Sequence, residues 1–64
     1  MEMQKVSSSA IASVGYDEAT QIMAVKFNSG QMYYYSGVSQ SEYDGLMTAE
    51  SPGKYFRTMN LTKM

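Results

Sequence analysis

From Ala10 the chain alternates between apolar and polar positions. Ala12, Val14 and Tyr16 fall on one side of an extended segment, and Ile11, Ser13 and Gly15 on the other. A period of two is the mark of a strand, whose successive side chains point to opposite faces. Asp17-Glu18-Ala19-Thr20 ends it. Ile22 to Phe27 repeats the pattern, with Met23, Val25 and Phe27 on one face and Ile22, Ala24 and Lys26 on the other. Asn28-Ser29-Gly30 then reads as a hairpin turn, with Gly30 free to take the positive φ that such a turn requires. Gln31 to Tyr35 is a third strand, with Tyr33 and Tyr35 sharing one face and Met32 and Tyr34 the other.

After Val38 the period changes. Ser39 with Glu42 three positions later matches a capping box, and Tyr43, Leu46 and Met47 recur at helical spacing. Ser51-Pro52 opens a second helix: Ser51 is a potential cap, and Pro52 suits a first position whose N–H has no partner anyway. Its buried stripe is Tyr55, Phe56 and Met59, with Lys63 near its end, where a cation suits the dipole.

These elements predict an α+β fold: a three-stranded antiparallel β-meander followed by two short α-helices packed on one face. Residues 1–9 read as a flexible leader and 10–64 as one domain. The expected core is Val14, Tyr16, Val25, Phe27, Tyr33, Tyr35, Val38, Leu46 and Phe56. Two helices cover one face of such a sheet, yet Ile11, Ile22, Ala24, Met32 and Tyr34 fall on the other. A solvated sheet face is normally polar. The apolar face therefore points to a second copy of the chain or another protein partner.

Composition narrows the chemistry. A chain of 64 residues makes one domain with a thin stability margin. It has no Cys and no His, which removes disulfides, zinc sites and the usual base for nucleophilic catalysis. Glu42 and Asp44 are two apart and do not share a helix face. The sequence is therefore read as non-catalytic, without metal or cofactor. No apolar run is long enough for a signal peptide or membrane span, and the expected location is the cytoplasm. Net charge is −1, unevenly spread. Asp17, Glu18, Glu42, Asp44 and Glu50 stand against Lys26 alone in the middle of the chain, whereas the last fourteen residues carry Lys54, Arg57 and Lys63 with no acid. Ser51, Gly53, Lys54 and Arg57, with an exposed Tyr34 as a stacking surface, form a candidate nucleic-acid or anion site. An ordinary capped surface helix explains the same residues.

Ser7-Ser8, Gly15-Tyr16-Asp17, Met23-Ala24-Val25-Lys26-Phe27, Gly30, Tyr33-Tyr34-Tyr35, Val38, Ala49-Glu50-Ser51 and Gly53-Lys54-Tyr55-Phe56 follow one another in an order and spacing that resemble the KTSC family. The resemblance covers residues 6–57. Ser39 stands where that family usually has Pro, Arg57 where Asn is common, and Met59 to Met64 depart from its usual aromatic finish. KTSC domains occur as small bacterial and phage proteins and at the C-terminus of some lysyl-tRNA synthetases. The resemblance implies an interaction module, with RNA binding as the suggestion drawn from the synthetases. A phage accessory protein that inhibits a host factor is also compatible with it.

Overall fold

The computed structural model describes residues 1–64. Five strands, β1 (Met3–Lys5), β2 (Ile11–Asp17), β3 (Ile22–Phe27), β4 (Met32–Ser36) and β5 (Thr62–Lys63), form one sheet in chain order. Every neighbouring pair is antiparallel. Two helices, α1 (Gln40–Thr48) and α2 (Pro52–Thr58), lie between β4 and β5 in sequence. The α+β class, the two helices and the antiparallel meander agree with the sequence reading.

The strand count does not, because both ends of the chain add an edge. Met3, Gln4 and Lys5 pair with Gly15, Val14 and Ser13, so part of the expected flexible leader is a strand. At the other end α2 stops at Thr58, and Lys63 is not in a helix but pairs with Tyr35. Its ammonium lies 3.8 Å from the centroid of the Tyr33 ring, a cation–π contact. Three- and two-residue edges have too little alternation to be read from sequence. Both edge strands carry a lysine, the usual device against edge-to-edge pairing.

Register corrects a second expectation. Ile11 pairs with Phe27 and Ser13 with Lys26, which leaves Ala12 as an extra residue in β2. A bulge of this kind reverses the side-chain phase upstream of itself. Ile11, expected beside Ser13 and Gly15 on the outer face, therefore joins Val14 under the helices, where it is 1% exposed. The buried cluster is Ile11, Val14, Met23, Val25, Tyr35, Val38 and Leu46. Tyr16, Phe27, Tyr33 and Phe56, expected within the core, are half-buried and pack around it.

Aromatic contacts attach the helices. The rings of Tyr16 and Tyr43 stack at 4.8 Å, fixing α1 to β2. Phe56 of α2 meets Phe27 and Tyr35 edge-on at 5.8 and 5.6 Å. Both are geometries that ring quadrupoles favour. The Tyr16 hydroxyl donates to the Val38 carbonyl at 2.6 Å. The Ser39–Glu42 capping box forms in both directions, and Pro52 opens α2. Gly30, with φ 95°, closes the β3–β4 hairpin. Gly45 has a tertiary reason: the Tyr55 hydroxyl and ring occupy the space a Cβ would need.

Three outcomes follow from this packing. Ile11→Ala is expected to cost about 2–5 kcal/mol, read as a lower urea midpoint; an unchanged midpoint would put Ile11 outside the core. Gly45→Ala, which gains about 1 kcal/mol in a free helix, is expected to destabilise the protein in the same assay, because Tyr55 must move. The third concerns alkali. Burial lifts the Tyr16, Tyr35 and Tyr43 hydroxyls above their ordinary value of 10.0, aided by Glu18 and Glu42 near Tyr16, Tyr33 near Tyr35 and Asp44 near Tyr43. These phenols keep their protons where the unfolded chain has lost them, so stability is full below pH ~10 and falls as pH rises beyond it. Urea titrations between neutral pH and pH ~11 check the sign.

Candidate functional site

The residues singled out in the sequence separate onto two surfaces. On the outer sheet face, cross-strand register gives three rows: Lys5, Ser13, Lys26 and Met32; Met3, Gly15, Ala24 and Tyr34; and Asp17 with Ile22. Ile11 is absent from this face, for the reason given by the bulge. Ala24 lies on it but is 0% exposed. As the small side chain between larger neighbours it forms the floor and offers no contact surface of its own. Ile22 is half-buried.

Met32 and Tyr34 are exposed, at 41% and 46%, together with Met1 at 58% and Met64 at 68%. These four are the exposed large apolar side chains of the molecule, and they gather on this face. A Cβ on Gly15 would meet the Met3 sulfur at 2.6 Å and Met1 Cγ at 3.0 Å, so both methionines lie over that glycine. Met64 stands across from Tyr34, donating its N–H to the Tyr34 carbonyl at 2.9 Å. The Tyr34 hydroxyl lies 3.7 Å from the Met32 sulfur. Met1 and Met64 were not identified as face residues in the sequence; only the edge pairing of β1 and β5 brings them there.

The second surface is on the helix side. Ser51, Gly53, Lys54 and Arg57 line one cleft of about 180 Å³ with Ser8, Ser9 and Ala10. Four of the expected anion-site residues are therefore together. Tyr34, the fifth, is on the opposite face of the sheet, its alternate neighbours Tyr33 and Tyr35 being the ones that face the helices. The loop wall of the cleft is held by hydrogen bonds. Ser8 Oγ accepts from the N–H groups of Ala10 and Ile11 at 3.1 and 3.2 Å. Asn28 donates its side-chain amide to the Ser8 carbonyl and its backbone N–H to the Ala10 carbonyl, at 3.2 and 2.8 Å. Ser51, expected to cap α2, makes no side-chain cap. Sequence reasoning missed Ser8, Ser9 and Ala10 as partners of α2, because residues so far apart in sequence meet only through the sheet.

Comparison with known proteins fits this architecture. The KTSC domain matches residues 7–59. The chain belongs to the KTSC family. A protein of Tsukamurella paurometabola is 47% identical over 53 residues, covering 83% of this chain and 79% of that one. A protein of Stutzerimonas stutzeri is 38% identical over 56 residues, covering 88% and 79%. The crystal structure of a KTSC domain protein from Yersinia pestis superposes with a TM-score of 0.93 at 30% identity, over 98% of this chain and 93% of that one. The KTSC domain is one of unknown function, so membership establishes the fold and leaves the chemistry to the two surfaces. No helix of the structure is long and apolar enough to cross a membrane.

Proposed function

We propose that this KTSC protein is a small non-catalytic interaction module that self-associates through the outer face of its sheet. One observation carries the reading: Met1, Met32, Tyr34 and Met64, its exposed large apolar side chains, share the face that the helices leave bare. Flexible thioethers around an aromatic ring suit a surface that adapts to a partner.

A second copy is the occupant that the rows of this face favour. Lys5 and Lys26 lie in one outer row and Asp17 in the other, with the apolar row between them. A two-fold axis through the middle row sets each lysine row over the acidic row of the partner, as an isologous dimer requires. The lysine and acid rows are four residues apart along β3, about 13 Å, so both contacts close at once. Size is compatible: a stable interface takes about 600 Å² or more from each partner, roughly one-seventh of the 4168 Å² that this chain exposes. Pairing through the edges is disfavoured by their shortness and their lysines.

The alternative joins Tyr34 to Lys54 and Arg57 as one RNA-binding surface. The sheet lies between those groups, so one strand of RNA does not reach both directly, and the self-association reading is preferred.

Light scattering tests it. The wild-type chain is expected to be a dimer at both low and high salt. Met32→Glu, which buries a charge at the contact, is expected to yield a monomer with an unchanged urea midpoint, since Met32 is exposed in the single chain. A wild-type chain that stays monomeric at millimolar concentration, or a dimer that survives Met32→Glu, overturns the proposal.

A further inference from the structure

The cleft beside α2 does not stand alone. A second, shallower hollow of about 420 Å³ is lined by Ser9, Ala10, Phe27, Asn28, Ser29, Gln31 and Tyr33. Ser9 and Ala10 belong to both, so the two hollows adjoin across one stretch of loop. Their chemistry differs sharply. The smaller is lined by three serines and two cations, with no acid. The larger offers two aromatic rings, Phe27 and Tyr33, whose centroids are 5.7 Å apart, and four polar side chains, Ser9, Asn28, Ser29 and Gln31.

We infer that the two hollows form a single site for a mononucleotide, with the phosphate in the smaller hollow and the base against Phe27 and Tyr33. Lys54 and Arg57 supply positive charge to the phosphate. Ser8 uses its oxygen to accept two backbone N–H bonds, which leaves its hydroxyl proton to donate. Ser51 makes no cap and keeps its hydroxyl for the same purpose. Arginine and lysine differ usefully here: the guanidinium fork reaches two phosphate oxygens, while the ammonium acts as a point charge. Gly53 provides the room, since a Cβ there would come within 3.1 Å of Ser8 Oγ.

On the base side, Lys63 already lies over the Tyr33 ring, so the base stacks on Phe27 or meets the Tyr33 edge, a contact that any base satisfies. Gln31 accepts from the Tyr33 hydroxyl with its side-chain oxygen at 3.0 Å, leaving its amide N–H groups to meet an acceptor on the base edge. Asn28 is tied by its side-chain amide to the Ser8 carbonyl. That bond locks the loop shared by the two hollows to the β3–β4 turn, so the site is formed before the ligand arrives. The aromatic partner of the basic cleft is thus Tyr33 with Phe27, on the helix side of the sheet, and Tyr34 is left to the other face.

The ligand chemistry is that of a nucleoside 5′-monophosphate, supplied either as a free nucleotide or as the phosphorylated end of an RNA strand. NMR titration of the full-length ¹⁵N-labelled chain distinguishes the sources. AMP is expected to shift the amides of Ser8–Ala10, Asn28–Gln31 and Gly53–Arg57 and to leave Met32 and Tyr34 unmoved. Inorganic phosphate alone is expected to reach only the serine and Gly53–Arg57 amides, and adenosine alone only the Asn28–Gln31 side. Lys54→Ala and Arg57→Ala are each expected to weaken AMP about ten-fold or more, the size of one charge-assisted hydrogen bond. Gly53→Ala is expected to weaken AMP and phosphate while adenosine binds as before.

A short RNA carrying a 5′-phosphate that outcompetes AMP, where its 5′-hydroxyl twin does not, assigns the site to RNA ends; equal or weaker competition assigns it to free nucleotides. The Met32→Glu chain is run alongside, and retained AMP binding in it separates this site from the sheet-face contact. Absence of shifts at millimolar AMP, shifts centred on Tyr34, or undiminished affinity in both Lys54→Ala and Arg57→Ala overturns the inference.

Discussion

The extra residue in β2 is the constraint on which the rest of the structure depends. Without Ala12 as a bulge, the alternation of Val14 and Tyr16 would carry Ile11 to the outer face. With it, Ile11 turns under the helices and closes the end of the core against Phe27. A strand with one buried face holds its register because a slip of one residue would exchange every side chain. The bulge performs that exchange once, at the point where the strand leaves the core, and sends the preceding loop toward α2 instead of along the sheet edge.

That redirection couples stability to the candidate cleft. Ser8 to Ala10 are held by Ser8's own hydroxyl and by Asn28 of the neighbouring turn. Phe56 packs on Phe27 and Tyr35, and the same helix presents Lys54 and Arg57 to the loop. The Gly53-Lys54-Tyr55-Phe56 segment is therefore divided in its work. Gly53 and Lys54 border the cleft, whereas Tyr55 fills the space over Gly45 and Phe56 anchors the helix. Phe56 thus supports both the core and the cleft, whereas Lys54, exposed at the cleft, takes no part in the core.

The two surfaces have opposite character because the sheet separates them. The outer face collects methionine and tyrosine around the small residues Gly15 and Ala24, with charged rows at its ends. The helix side collects hydroxyls and cations around a loop. A thin sheet with one face covered by helices gives a domain of this size two separate surfaces without enlarging the core.

Much of this was legible in the sequence. Alternation located three strands, the Asn28-Ser29-Gly30 turn placed the hairpin, and Ser39 with Glu42 marked the start of α1, all by rules that act within a few residues. The grouping of Ser51, Gly53, Lys54 and Arg57 was also local, since all lie within one short helix and its start. Tertiary structure alone decided the remainder. Met3–Lys5 and Thr62–Lys63 are too short to show a period, and they become strands only because β2 and β4 offer unpaired edges. The phase of Ile11 depended on a bulge, which alternation does not announce. Ser8 and Ser9 met Lys54 and Arg57, and Tyr34 was parted from them, because pairing across the sheet, and not distance along the chain, sets which side chains share a face.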